Sequence, residues 1–346
     1  MESVLRQSNG LPLTRVTTLA GCVRYLRSLG VPVDRDLRRA RLPTLFYDTP
    51  DGWISYLALR RFCFDVSRRE GLWDLGLGVR SLDTALHSSF RESFLGAPTL
   101  KLALQRMSAD VHLQNTGMKL SLQFYPDRAR LSFRLPLSRD LPDHGISETR
   151  VARLAERSVR AFCGPGFTPT TVFLSALQKD LPYDMEFAFN GASVITGQRE
   201  GAIEFPRALL ATRMKRTPGG SVKAQPIDGT PSPQSISASL QACLTPYLSG
   251  EPVSIELAAE ISGLSVRTLQ RRMKQEGTSF SQVIDDARCR VALARLAGGD
   301  VSLAQLAAQL GYSEHSAFTR AFHRWTGMTP RRYRAHCLRK TPPEST

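Results

Sequence analysis

From Ser254 onward the apolar positions fall into short stripes at helical spacing, and the whole arrangement occurs twice. The first copy reads Ser254-Ile-Glu-Leu-Ala-Ala-Glu-Ile-Ser-Gly-Leu-Ser265 and continues Val266-Arg-Thr-Leu-Gln-Arg-Arg-Met273. The second reads Ser302-Leu-Ala-Gln-Leu-Ala-Ala-Gln-Leu-Gly-Tyr-Ser313 and continues Glu314-His-Ser-Ala-Phe-Thr-Arg-Ala-Phe322. Ser254, Ala259, Gly263 and Ser265 recur in register as Ser302, Ala307, Gly311 and Ser313. Each copy predicts a helix, a turn and a second helix. Ser254 and Ser302 can accept hydrogen bonds from first-turn N–H groups, and Ser302 with Gln305 has the spacing of a capping box. Gly263 and Gly311 end the first helices, where a left-handed backbone costs Gly least. Ser265 and Ser313 are the expected caps of the second helices. This is the sequence form of a helix-turn-helix.

The second helix of each copy is two-faced. In the first copy Val266, Leu269 and Met273 share one side, while Arg267, Gln270, Arg271 and Lys274 share the other. In the second, Phe318, Ala321, Phe322 and Trp325 turn inward, and His315, Ser316, Thr319, Arg320 and His323 lie toward the open side. One extra residue follows Ser313 before the apolar face. Matching Leu269 and Met273 to Phe318 and Phe322 therefore sets Arg271 against Arg320 and Arg272 against Ala321. Gly277 and Gly327 are the expected stops. Between the copies, residues 280–297 predict a long helix with a Ser279/Gln282 capping box. Its expected stripe is Phe280, Val283, Ile284, Ala287, Val291 and Ala294, and Gly298-Gly299 ends it. Residues 236–248 predict a helix ahead of the first copy.

The N-terminal part is patterned differently. Helical spacing runs through residues 17–29, 34–41, 57–70, 99–116 and 148–163. Apolar and polar residues alternate over 118–125 and 129–135 around Pro126-Asp127-Arg128, a predicted hairpin. Residues 170–177, 186–189 and 202–205 are further candidate strands. The expected architecture is an α+β domain over residues 1–215 and an all-α domain over 236–340, with two helix-turn-helix motifs bridged by a long helix. Residues 216–235, rich in Pro, Gly and Ser, are the expected flexible linker.

The 346 residues carry a net charge of +15, which favours a polyanionic partner. The excess is not confined to the C-terminal third, so the positions of particular arginines say more than the total. An outward face of Arg, Gln and Lys is poor core material and good groove material: Arg pairs with guanine, Gln with adenine, and Lys neutralises phosphate. Six cysteines are scattered without a Cys-x-x-Cys pair, which argues against a disulfide framework or structural zinc. No metal and no cofactor is expected. No apolar run reaches membrane-spanning length, and Met1-Glu-Ser-Val-Leu-Arg lacks the order of a signal peptide. The expected location is the cytoplasm, on the nucleoid.

Enzymatic readings find little purchase. Leu75-Gly-Leu-Gly-Val-Arg80 lacks the third glycine of a dinucleotide fingerprint, and no zinc-protease, nucleophile-elbow or phosphate-loop motif occurs. His87, His112 and His144 stand alone in the sequence.

Residues 240–338 resemble the DNA-binding domain of the AraC/XylS family of bacterial transcription regulators. The resemblance is carried by Leu264-Ser-Val-Arg-Thr-Leu-Gln-Arg-Arg-Met273, by Gly277-Thr-Ser-Phe280 and by the run from Leu310-Gly-Tyr-Ser313 through Trp325-Thr-Gly-Met-Thr-Pro330 to Arg334. It implies base-contacting roles for Arg267, Gln270 and Arg271 in the first motif and for His315, Ser316, Thr319 and Arg320 in the second. Arg272, Lys274, Arg324 and Arg331 are the expected phosphate contacts. In the N-terminal half, Trp73-Asp-Leu-Gly-Leu-Gly78, Phe94-Leu-Gly-Ala-Pro-Thr-Leu100, Tyr183-Asp-Met-Glu-Phe187 and Ile203-Glu-Phe-Pro206 resemble the arabinose-binding-like regulatory domain of one AraC-type subgroup. The resemblance implies a regulator, an activator by family habit, that binds double-stranded promoter DNA and RNA polymerase. It also brings in a small-molecule effector and a homodimer, although no residue names either. Two alternatives stand beside it. One is a fusion to a DNA-repair alkyltransferase, whose Pro-Cys-His-Arg motif is echoed only in the wrong order by Ala335-His-Cys-Leu-Arg339. The other is a non-specific DNA-bending nucleoid protein, which base-reading side chains argue against.

Overall fold

The computed structural model describes residues 10–44, 52–72, 88–181, 188–214, 232–248, 253–298 and 301–340. The chain divides into two compact units, Met1–Pro233 and Gln234–Thr346. Most of the expected linker, residues 216–231, lies outside the described residues, as do Trp73–Gly78 and Tyr183–Phe187.

The first unit is α+β. Strand β1 (Leu13–Arg15) pairs antiparallel with β2 (Trp53–Ser55). Helices α1 (Val16–Ser28), α2 (Asp34–Arg39) and α3 (Tyr56–Glu70) share a core that includes Leu19, Val23, Leu37, Leu59 and Phe62. Ser55 starts α3 by accepting a hydrogen bond from the Ala58 N–H. Helices α4 (Ser88–Leu95), α5 (Leu100–Gln114) and α6 (His144–Cys163) belong with a five-stranded sheet. Its strands are β3 (Lys119–Phe124), β4 (Arg128–Arg134), β5 (Thr171–Phe173), β6 (Ser193–Ile195) and β7 (Gly201–Pro206), in the order β3-β4-β7-β5-β6. All neighbours are antiparallel except β5 and β6. Ala129, Leu131 and Phe133 of β4 alternate into the core, as the sequence pattern predicts. Phe133 faces Gly201 across the ladder, and a Cβ there would come within 2.2 Å of the ring, so the pairing requires glycine.

Two expected strands come out differently. Residues 170–177 give only the short β5, because the Glu148 carboxylate then takes the Ser175 and Ala176 N–H groups, each at 2.9 Å, in place of a ladder. Of 186–189, the described Ala188 and Phe189 are buried but lie in no strand. Strands β1, β2 and β6 and helix α4 had no clear pattern in the sequence.

The second unit is helical among its described residues: α7 (Ile236–Leu244), α8 (Ile255–Ser262), α9 (Val266–Gln275), α10 (Phe280–Ala297), α11 (Leu303–Gln309), α12 (His315–Thr326) and α13 (Pro330–Lys340). The expected helix over 236–248 is α7 followed by a single 3-10 turn, Thr245–Tyr247. Helix α10 bridges the two motifs and has two neighbourhoods, packing on α7 and also on α12 and α13. This corrects the expected stripe. Val283, Ile284 and Ala287 are buried, but Ala294 is exposed. Ala292 and Leu296 instead join Leu306, Ala307, Leu310, Phe318 and Phe322 in the core of the second motif. A single helical stripe cannot serve two cores that lie on different sides of one helix.

Candidate nucleic-acid interface

Each motif is built by its own caps. Ser254 accepts from Leu257 N–H at 3.2 Å, Ser265 from Thr268 N–H at 3.2 Å and Ser302 from Gln305 N–H at 3.1 Å. The capping boxes of Ser279/Gln282 and Ser302/Gln305 both form. After α8 and α11 the chain turns alike. Gly263 and Gly311 have φ of 67° and 77°, and the residue after each donates back to Ala259 and Ala307 respectively, at 3.0 Å in both. Gly277 and Gly327 follow α9 and α12, also with positive φ.

Helix α12 departs from α9 at its start. Ser313 is not its cap. Glu314 holds the cap position without accepting from a first-turn backbone N–H, and α12 begins at His315. The extra residue after Ser313 shifts the helix start by one, and the carboxylate then occupies the positive end of the helix.

The two polar faces differ in how free they are. On α9, Leu269 and Met273 are buried at 0% and 1% exposure, Val266 is half-buried, and Arg267, Gln270, Arg271 and Lys274 are exposed. Arg272 is half-buried and already engaged in an interaction. On α12, Phe318, Ala321 and Phe322 are buried, and His315, Ser316, Arg320 and His323 are exposed. Ser316 Oγ donates to the Glu314 carboxylate at 3.2 Å, and the half-buried Thr319 donates its hydroxyl to the His315 carbonyl at 3.0 Å. Arg324 is exposed but ion-paired with Asp285 of α10 at 2.8 Å. Arg331, on α13, is exposed beside the exposed Arg332.

Helix α12 rests on an aromatic cluster. Phe322 sits 5.8 Å from Phe318, 6.5 Å from Trp325 and 5.7 Å from Tyr333 between ring centroids. Arg288 of α10 stacks over Tyr312 at 5.1 Å, and Arg334 Nη2 donates to the Val301 carbonyl at 2.5 Å. The first motif is tied to α7 instead. The Glu276 carboxylate, at the end of α9, accepts from Ile236 N–H at 2.8 Å, Ser237 N–H at 2.9 Å and Ser237 Oγ at 2.5 Å. Neither the Asp285–Arg324 pair nor the Glu276 cap was legible in the sequence, since both join residues about forty positions apart whose spacing matches no local motif.

Comparison with known proteins gives these faces a context. The model for the arabinose-binding domain of AraC transcription regulators matches residues 30–214. The chain belongs to the AraC family of transcription regulators. A helix-turn-helix domain model matches residues 258–336, which span both motifs. The AraC-family chain is 25% identical to the HTH-type transcriptional regulator VirS of Mycobacterium tuberculosis, over 94% of this chain and 97% of VirS. It is 40% identical to the ornithine utilization regulator of Pseudomonas aeruginosa, over 25% of each protein. The solved transcriptional regulator CdpR of P. aeruginosa covers 92% of this chain and 98% of its own, at 19% identity and a TM-score of 0.39. The chain is thus a DNA-binding regulator of transcription with an N-terminal arabinose-binding-type domain. Among the described residues no helix is long and apolar enough to cross a membrane, and no His/Cys/Asp/Glu group could hold a metal.

Proposed function

We propose that this regulator activates transcription by placing α9 and α12 in two successive major grooves of promoter DNA. The observation that carries the reading is the exposed, polar outer face of both helices over a buried apolar one, repeated within one unit. In this reading Arg267, Gln270 and Arg271 read bases from α9, and His315, Ser316, Thr319 and Arg320 read them from α12. Arg272, Lys274, Arg324 and Arg331 meet phosphates, Arg324 only after leaving Asp285. Residues 1–215 regulate and dimerise, 216–235 link, and 236–340 bind DNA. The remaining surface recruits RNA polymerase, and a small-molecule effector sets the response. The chain performs no catalysis and works on the nucleoid.

One observation favours a more restricted role for α12. The Ser316 and Thr319 hydroxyls are already bonded, and Glu314 stands at the helix start. With these groups already occupied, α12 reads fewer bases, leaving α9 as the main reader. Sequencing the DNA bound to the protein in cells, followed by transcription from those promoters with and without the protein, tests the proposal. Activation at sites sharing two motifs about one helical turn apart is expected. Binding spread without a shared motif, or lower transcription with the protein present, contradicts it.

A further inference from the structure

The first unit encloses a cavity of about 100 Å³ between α1, α5 and α6. Its wall is mostly apolar, with Phe90, Met107, Val111, Val151 and Leu154 among the lining residues. Two guanidinium groups, Arg150 and Arg157, also line it, and none of the described lining residues is acidic.

The charge of Arg150 is the unusual feature. The neighbouring buried Arg60 has a matched partner in Asp143, held at 2.5 and 2.8 Å. Arg150, half-buried, pairs with no carboxylate among the described residues. Its Nη1 donates to Cys63 Sγ at 3.6 Å, and its other neighbours are Tyr56 and Cys22. Tyr56, 1% exposed, lines the same cavity with its hydroxyl against the Arg150 guanidinium. A half-buried cation in a mostly apolar wall, with thiols and a phenol around it, has no opposite charge beside it among the described residues. A carboxylate at this end of the cavity would supply that charge and accept from the Tyr56 hydroxyl. One thiol reports the same field. Cys22 is lowered to about 7 by a hydrogen bond from Cys63 and by the charge of Arg150, against the raising effect of burial.

We propose that this cavity is the effector site, and that it takes a small monocarboxylate with an apolar body. The carboxylate meets Arg150 and the Tyr56 hydroxyl, and the body lies against Met107, Val111 and Leu154. A single negative charge fits the Arg150 guanidinium and the Tyr56 hydroxyl, and the mostly apolar remainder of the wall suits an apolar body rather than a second charge. The volume holds roughly seven to ten non-hydrogen atoms on the scale of one water per 10–15 Å³. The proposal rests on the reading of residues 1–215 as a regulatory domain.

The test uses the full-length protein and four probes, hexanoate, octanoate, benzoate and phenylacetate, each beside its methyl ester. Calorimetry and thermal shift are expected to show at least one acid binding tenfold or more tighter than its ester. Arg150→Gln should reduce that acid's affinity at least tenfold and leave the ester's unchanged. Ala155→Leu, which fills the cavity, should block both. If Arg150→Gln does not fold, the acid–ester comparison on the unaltered protein and the Ala155→Leu result still decide. No binding by any acid at millimolar concentration, or equal binding of acids and esters, overturns the proposal. An acid that binds in an Arg150-dependent way without altering DNA affinity or transcription upholds the site and contradicts the effector reading.

Discussion

Asp285→Asn should make this regulator bind DNA more tightly. In the free protein the Asp285 carboxylate holds Arg324, an expected phosphate contact, at 2.8 Å. The pair is open to solvent, with side chains 64% and 30% exposed, so it contributes only about 0.2–1 kcal/mol to stability. Removing the charge therefore costs little folding free energy and releases a cation on α12. If Arg324 then makes one additional phosphate contact, the slope of log affinity against log salt steepens by about 0.9. With equal affinities at 1 M salt, that corresponds to about eightfold tighter binding at 0.1 M. Fluorescence anisotropy across a salt series measures both quantities, on specific and random duplexes. Because a phosphate contact carries no sequence information, the gain should appear on both duplexes alike. Arg324→Ala should abolish the gain in the Asp285→Asn background and change the slope much less in the unaltered protein. An unchanged slope and affinity in Asp285→Asn would refute the placement of Arg324 against DNA.

Three further outcomes follow from the same architecture. Glu276→Ala removes three hydrogen bonds to the start of α7 and should destabilise the DNA-binding unit by about 1–2 kcal/mol, the upper range for a lost cap, as read by urea denaturation. Partial burial alone would raise the Glu276 pKa, but donors from Ser237, Ile236 and Ser235 outweigh it and hold the pKa below its usual 4.5. Its contribution is thus present above that usual value and lost as pH falls through the depressed one, so the difference between Glu276→Ala and the unaltered protein should shrink in acid; a difference that grows in acid would refute the assignment. Phe322→Ala, at the centre of the aromatic cluster, should cost about 3–5 kcal/mol and loosen α12 more than α9, which hydrogen exchange resolves by motif. Residues 235–346 alone should give a helical circular dichroism spectrum with a cooperative melt; an unfolded fragment would show that this unit needs the rest of the chain.

The second unit was far more legible in the sequence than the first, for physical reasons visible at particular residues. Ser254, Ser265 and Ser302 act within three residues of their partners, so a cap that works locally can be read locally. Leu269, Met273, Phe318 and Phe322 each serve one core from one face, and period alone finds them. Where one helix serves two cores the stripe blurs, as on α10, whose Ala292 is buried and whose Ala294 is exposed. Ser313 misled because the motif repeats with one residue added. In the first unit β1, β2 and β6 are three residues each, too short for alternation to register. The outward faces were legible as exposed polar surface, but not the bonds of Ser316, Thr319 and Arg324, which depend on neighbours fixed by the fold. The convergence of Cys63, Tyr56 and Arg150 likewise joins α3 to α6 across about ninety residues, beyond any sequence period.

The central claim is that the outward faces of α9 and α12 read sequence, and Arg271 and Arg320 test it most directly. Both are exposed and occupy matched positions in the two recognition helices. Gel-shift titration of Arg271→Ala and Arg320→Ala against every single-base variant of the bound site is the measurement. Each substitution should remove about 1–3 kcal/mol from binding to the specific site alone. Each should also relax discrimination at its own base position, the two lying about one helical turn apart. If Arg320→Ala lowers affinity for all variants equally, α12 is a phosphate anchor and only α9 reads bases. If both substitutions do so, neither helix reads sequence through these arginines and the account is contradicted.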